Sequence, residues 1–264
     1  MSSEHKKSYT VPAERQEQIL QYIKARGSGQ IKNLAEWVGA SEATVRRDLD
    51  ELDRAGKIER THGGAVLTKS GASFERRHEE KLILMQTEKQ RIARKAADYI
   101  HEGDTVFIDS GTTTYGLKNL LQDIPQLTIF TYDLIVAQTL ELHPTSTLIV
   151  TGGIRRPGFN NVLTGSPVVE FLKGIRVDKV LLGADAVDLQ YGVSNSNYQE
   201  AQIKQQLLQI SKKSYLLADH TKFGTVAMAK VCSLDAIDTL ITDADAPEAY
   251  LQELLKKIPH IDTV

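Results

Sequence analysis

Residues 107–116 read F-I-D-S-G-T-T-T-Y-G. An apolar pair runs into a carboxylate, a serine, a glycine and three threonines, a composition suited to holding an anion such as phosphate against backbone amides. Gly111 lets the chain approach an anion closely, and Thr112, Thr113 and Thr114 offer amides and hydroxyls where a helix is expected to begin. Asp109-Ser110-Gly111 is one of six polar endings to short apolar runs. The others are Thr131-Tyr132-Asp133, Thr151-Gly152-Gly153, Gly183-Ala184-Asp185, Ala218-Asp219-His220 and Thr242-Asp243. One such ending is ordinary turn chemistry, but six along one sheet edge favour a pocket for a small polar ligand. Counter-charge for an anion is available from Lys204, one helical turn after Glu200, and from Lys222, shortly after Asp219. On spacing alone, Glu200 and Lys204 read equally well as an exposed helix ion pair.

These groups need a scaffold that gathers strand ends. The runs Thr105–Ile108, Leu127–Phe130, Leu148–Val150, Lys179–Leu182, Ser214–Leu217 and Thr239–Ile241 are short, β-branched or leucine-rich, and do not alternate. That is the pattern of strands buried on both faces. Helical spacing falls between them, over Thr113–Leu121, Asp133–Leu142 and Tyr198–Ile210. Strands alternating with helices predict right-handed crossovers and a parallel, doubly wound sheet, with all strand ends on one edge. The strand order stays open.

The first part of the chain has a different pattern. A helix over Arg15–Arg26 carries Ile19, Leu20, Tyr22 and Ile23 and stops at Gly27 and Gly29. A second helix carries Ile31, Leu34, Ala35 and Val38 and breaks at Gly39, with Trp37 read as a packing residue. Ser41 is the expected N-cap of a third helix, with Glu42 in its first turn and Gly56 at its end. Val45, Leu49 and Leu52 make its buried face. Arg47 and Arg54 lie nearly opposite, with Arg46 to one side and Thr44 to the other. Small residues, hydroxyls and guanidinium groups on an outward helix face suit entry into a DNA major groove. The alternative is a solvated face on which the arginines pair with Glu42, Asp50 or Glu51. A short glycine turn before the helix and a hairpin after it, K-I-E-R-T-H-G-G-A-V-L, favour the DNA reading. That wing adds Lys57, Arg60 and His62.

S-E-A-T-V-R-R-D-L followed by G-K-I-E-R-T-H-G-G-A resembles the DNA-binding signature of the DeoR family of bacterial transcriptional regulators. The resemblance continues through E-K-Q-R-I-A, D-S-G-T-T-T, V-T-G-G, G-A-D-A-V-D-x-x-x-G-V-S, Y-Q-E-A-Q-I-K, L-A-D-H-T-K-F-G and I-T-D, so it covers nearly all of residues 12–243. It implies a winged helix-turn-helix domain at 12–67, a linker and connecting helix at 68–90, and a sensor domain at 91–264. The sensor domain would be a Rossmann-like parallel α/β domain similar to ribose-5-phosphate isomerase. By resemblance, operator DNA is contacted by Arg46 and Arg47, supported by Ser41, Thr44, Lys57, Arg60 and His62. A phosphorylated sugar would be held by Asp109, Gly111, Thr112, Thr113, Thr131, Tyr132, Asp133, Gly152, Gly153, Asp185, Glu200, Lys204, Asp219 and Lys222. The family usually has T-N-S where this chain has Thr131-Tyr132-Asp133. If these residues face the ligand, the added carboxylate should repel an acidic group and favour a hydroxyl or amine.

The implied function is a repressor of a carbohydrate catabolic operon, acting as a homo-oligomer, dimer or tetramer, without cofactor or metal. A sugar-phosphate isomerase or deaminase on the same scaffold is the competing expectation, with Asp185, Glu200 or His220 as acid or base. A regulator answering to a protein partner is a third. Composition is compatible with all of them. The chain has 264 residues, 41% hydrophobic and 25% charged, and a formal net charge of −2, which argues against a uniformly basic coat but not against a local basic face. Cys232 is the single cysteine, so no internal disulfide forms. The first twenty residues hold no apolar run and no stretch reaches the roughly 18 apolar residues of a membrane span, so a cytoplasmic protein is expected.

Overall fold

In the computed structural model, which describes residues 11–26, 28–61, 63–67, 78–155 and 161–264, the chain forms two compact units. The described part of the first is 11–67 with Glu79–Leu84; that of the second is His78 with Met85–Val264. No helix among the described residues is long and apolar enough to cross a membrane.

The first unit follows its apolar spacing. It runs α1 (Pro12–Arg26), β1 (Ser28–Gln30), α2 (Ile31–Val38), α3 (Glu42–Arg54), β2 (Ile58–Thr61) and β3 (Gly64–Leu67). Ile19, Ile23, Leu34, Val45, Leu49, Leu52 and Ile58 form one buried cluster. Ser41 caps α3 by accepting the Thr44 amide at 3.2 Å, and the chain leaves α2 and α3 through left-handed Gly39 and Gly56. The wing strands β2 and β3 pair antiparallel, with Thr61 opposite Gly64, and β1 adds to the free side of β3. Trp37 departs from expectation. It is 57% exposed and meets only an edge of Tyr22 among the ring contacts described, at 5.5 Å between centroids, because the buried face of α2 is Ile31, Leu34, Ala35 and Val38.

All of α4 (His78–Ile83) but His78 belongs to the first unit; in the second, α5 (Gln86–Ala97) precedes a seven-stranded parallel sheet. Its strands are β4 (Thr105–Ile108), β5 (Thr128–Thr131), β6 (Thr147–Val150), β9 (Val177–Gly183), β12 (Ser211–Leu217), β14 (Thr239–Thr242) and β15 (His260–Thr263), in the order β15-β14-β12-β9-β4-β5-β6. The chain builds outward from β4 to β6, then returns to lay β9 on the other side of β4 and builds outward again. The two directions part between the ends of β4 and β9, the switch point at which open α/β sheets bind ligands. One face is covered by α7 (Ser166–Lys173), α8 (Tyr198–Ile210) and α9 (Glu248–Leu255), through side chains such as Val168, Leu207 and Leu254. The other face is covered by α5 and α6 (Leu134–Thr139), through Ile92, Ala96 and Val136.

All six expected strands are present and all are parallel: β4 has the expected bounds, β5 is shifted by one residue, and the other four are longer, β12 by three residues at its start. The helix expected over Thr113–Leu121 is instead a single 3-10 turn, Thr114–Leu117, and that expected over Asp133–Leu142 shortens to α6 behind Asp133 as its cap. The structure adds β15, a ribbon of β7 (Ile154–Arg155) with β8 (Leu163–Thr164), and a small antiparallel sheet. That sheet has the order β10 (Ala186–Asp188), β11 (Gly192–Asn195), β13 (Ala229–Cys232).

Candidate functional site

On the first unit, α3 presents its outward face between two anchored neighbours. Arg15 of α1 forks the buried Asp48 carboxylate, Nε to Oδ2 at 2.5 Å and Nη2 to Oδ1 at 2.9 Å, which fixes α3 against α1. Arg60 of the wing lies 3.4 Å from Asp50, and its amide donates to Asp53 at 3.2 Å, which fixes the wing against α3. Arg60 is therefore half turned from the role of DNA contact expected for it. Arg46 reaches Glu42 across one helical turn at 3.3 Å, both well exposed, as the solvated-face alternative proposed for it. Arg54 donates to the Asp50 carbonyl. Arg47 is exposed and forms no ion pair among the described residues, and Ser41, Thr44 and Lys57 lie at the exposed or partly exposed ends of the same face. His62 falls outside the described residues.

At the carboxyl edge of the large sheet the expected site residues divide into two groups. The first is closed. Asp109, wholly buried at the end of β4, accepts the Lys204 ammonium and the Gly183 amide (2.8 Å) on Oδ2, and the Tyr132 hydroxyl on Oδ1. Lys204 donates again to the Gly183 carbonyl at 3.0 Å, and the Tyr132 hydroxyl lies 3.2 Å from Ser110 Oγ. Burial, with the charges of Asp109 and Glu200, raises the Tyr132 phenol well above its ordinary range, so it stays a donor. Asp109 is thus not an open acceptor for sugar hydroxyls. Nor is Lys204 an open counter-charge for an anion: its charge bridges β4, β9 and α8. Glu200 shares the buried face of α8 with Lys204.

Asp133 is likewise committed. Its carboxylate accepts the amides of Ile135 at 2.7 Å and Val136 at 3.1 Å as the cap of α6. Burial raises its pKa even though these amides and that of Gly111 favour the charged form. The carboxylate added at this position therefore serves backbone amides and is not presented to a ligand. Thr131 is buried, and its hydroxyl accepts the Asp133 amide at 3.1 Å. Asp185 accepts the Ser196 amide at 2.9 Å. Gly152 is exposed, while at Gly153 a Cβ would come within 2.8 Å of Val168, so glycine there serves packing under the β8 ribbon.

The second group is open. Gly111 takes φ 139°, which turns the chain away from β4 with room around it. Thr114 Oγ1 donates to the Gly111 carbonyl at 2.8 Å, while the amides of Thr112 and Thr113 meet no acceptor among the described residues. At the end of β12, Asp219 is wholly buried. Its Oδ1 accepts the Thr221 amide at 3.1 Å and the Thr221 hydroxyl, while Oδ2 has no hydrogen-bond partner among the described residues and lies 3.7 Å from Lys222 Nζ. Burial alone would raise the Asp219 pKa; the charges of Lys222 and Lys89 and the Thr221 hydrogen bonds outweigh it and lower it. Lys89, on α5 and 4% exposed, was not among the expected site residues.

His220 Nδ1 and Asp243 lie 2.7 Å apart, and with Asp245 they bring three possible metal ligands within 4.8 Å of one another. Both Asp243 oxygens are already hydrogen-bonded, to His220 and to the Asp245 amide, which makes this a braced turn between β12 and β14. A separate cleft of about 400 Å³, lined by Leu189, Gln190, Ser233, Asp235, Lys256 and others, shares no residue with the expected site.

Family models agree with the division into units. A DeoR-like helix-turn-helix domain matches residues 15–71, and a DeoR C terminal sensor domain matches residues 84–244. The glycerol-3-phosphate regulon repressor of Escherichia coli (strain K12) is 34% identical over 236 residues, covering 89% of this chain and 92% of its own length. A putative aga operon transcriptional repressor of Escherichia coli O157:H7 is 32% identical over 252 residues, covering 95% and 93%. A solved ribose 5-phosphate isomerase from Plasmodium falciparum overlaps 53% of this chain and 54% of its own at 14% identity and a TM-score of 0.36.

Proposed function

Because the chain belongs to the DeoR family of transcriptional regulators, we propose that it represses a carbohydrate catabolic operon and is controlled by a phosphorylated sugar bound at the strand ends of its second unit. The observation that carries the ligand reading is Asp219. A wholly buried carboxylate with an oxygen lacking a described hydrogen-bond partner, 3.7 Å from Lys222 and under the charge of Lys89, is a group built to receive something. Lys89, Lys222 and the amides of Thr112 and Thr113 supply what a phosphoryl group needs, and Asp219 Oδ2 accepts a hydroxyl from the same ligand.

DNA recognition falls to α3, with Arg47 as the open guanidinium and Arg46 released from Glu42 on contact with phosphate or base. The working form is a cytoplasmic homo-oligomer with an even number of recognition helices, spanning 12–67 for DNA and 91–264 for sensing, joined by 68–90. The effector acts only by binding two arrangements of the protein unequally. The test is a calorimetric screen of the full chain against sugar phosphates and their unphosphorylated counterparts. A parallel gel shift uses the DNA upstream of its own gene. Phosphorylated compounds should bind, their counterparts should not, and one binder should change DNA affinity. Failure of every phosphate ester to bind would refute the sensor reading; turnover of one would refute the regulator reading in favour of an enzyme.

A further inference from the structure

Tyr132 is the largest fully buried side chain among the described residues, yet it stands one residue beyond β5 in the row of strand ends. Its ring lies 6.1 Å from that of Phe107 between centroids, and its hydroxyl joins Ser110, Asp109, Lys204 and Gly183 in one hydrogen-bonded chain. Tyr132, Asp109 and Lys204 are 0%, 0% and 2% exposed. This chain occupies the point between β4 and β9 where an open α/β sheet offers a ligand its deepest crevice. Here the crevice holds a ring, and the polar groups around it satisfy one another.

We infer that Tyr132 is a specificity-determining residue: it closes the switch point to the effector and restricts the site to short phosphate esters, of triose or tetrose size. The inference rests on the phosphate reading given under Proposed function. A phosphoryl group engaged by Lys222 and the Thr112 and Thr113 amides leaves Asp219 Oδ2 as the nearby acceptor, which a short polyol reaches. A hexose phosphate must extend further along the edge. There it meets a filled volume at Tyr132, and its outer hydroxyls find Asp109 already bonded on both oxygens. Hydroxyls left without partners, together with lost volume, discriminate by tenfold or more.

The experiment titrates the full chain and its Tyr132→Ser and Tyr132→Phe variants with inorganic phosphate, glycerol 3-phosphate and fructose 6-phosphate by calorimetry. The wild type should bind glycerol 3-phosphate at least about tenfold more tightly than fructose 6-phosphate. Tyr132→Ser should close that gap by about tenfold with inorganic phosphate changed less than about twofold, and Tyr132→Phe, which keeps the ring, should retain the gap. Both variants lose the hydroxyl, so general loosening would move both alike. A wild type that takes both esters equally overturns the inference, even if Tyr132→Ser does not fold. So does a Tyr132→Ser variant that binds phosphate with the gap intact. Binding of none of the three probes by any of the proteins overturns the phosphate reading itself, a result distinct from phosphate binding without discrimination.

Discussion

Removing Arg15 should unfold most of the helix-turn-helix unit's margin of stability. The Arg15–Asp48 fork has side chains 13% and 4% exposed, and hydrogen bonding to Asp48 raises the arginine pKa further, so the guanidinium stays charged. At an effective dielectric near 20, two charges about 4 Å apart interact by about 4 kcal/mol. Stranding the buried Asp48 carboxylate should cost about 3–5 kcal/mol. A unit of this size holds only a few kcal/mol in total, at about 0.05–0.15 kcal/mol per residue. Arg15→Met alone should therefore leave it near its midpoint in water. Asp48→Leu alone strands the guanidinium, which is closer to solvent and should cost less. The double variant, which replaces the pair by apolar groups, should recover most of the loss.

Trp37 makes the measurement direct. It is the single tryptophan and lies in this unit, so its fluorescence in urea follows the unit without contribution from the larger one. With a urea slope of about 1 kcal/mol per molar, Arg15→Met should lower the midpoint by about 3 M. The cycle should give a coupling energy above about 2 kcal/mol. A midpoint shift below about 0.5 M, or a double variant as unstable as the two singles added together, would refute the claim that this fork fixes α3.

Three further outcomes are expected. Arg47→Ala should weaken operator binding by about 1–3 kcal/mol in a gel shift while the Trp37 urea midpoint stays put, because Arg47 is open to solvent and forms no ion pair among the described residues. Burial, aided by Asp235, pushes the Cys232 thiol up to about 12, so alkylation at pH 8 should run on the order of a thousandfold slower in the folded chain than in urea. Asp219 has a lowered pKa when folded, so its contribution to stability is present above about pH 4 and is lost as pH falls through the folded value. Asp219→Asn should flatten the acid limb of the melting-temperature profile below about pH 4, and an unchanged limb would refute the charge pairing.

The sheet was legible because strands buried on both faces announce themselves as continuous apolar runs, from Val106-Phe107-Ile108 to Leu240-Ile241. Strand β15 was not, because H-I-D-T is an edge strand open to solvent, held in part by the hydrogen bond from Tyr99 to Asp262 at 2.5 Å. The misread helix after Asp109 has a similar cause. Leu117 and Leu121 are both buried at helical spacing, but they are reached through a 3-10 turn and further turns. Gly116 there sits so close to α5 that a Cβ would lie 2.6 Å from that of Ala93. Lys89 could have been found. It falls with Ile92, Ala93 and Ala96 on the one buried stripe of α5, an i, i+3, i+4, i+7 pattern with a lysine in an apolar place.

What the sequence could not separate is a charge that holds the fold from a charge kept for a ligand. Arg15 and Arg47 are the same residue type on the same small unit, and Lys204 and Lys222 are the same type near the same sheet edge. Arg15 is closed by Asp48, 33 residues away, and Lys204 by Asp109, 95 residues away. Neither partner shows in local spacing, which pairs Lys204 with Glu200 and leaves Arg15 unremarked. Arg47 and the Asp219–Lys222 pair stay open because neither has a distant group that saturates it among the described residues. Each unit holds closed pairs as well as open groups: Asp48 of the Arg15–Asp48 pair sits on the buried face of the helix that carries Arg47, and Asp109 of the Lys204–Asp109 pair ends β4, two strands from β12 and Asp219 in the same sheet. Rigid, fully bonded charges behind a recognition surface keep its open charges in fixed positions before the ligand arrives, which reduces the ordering cost of binding.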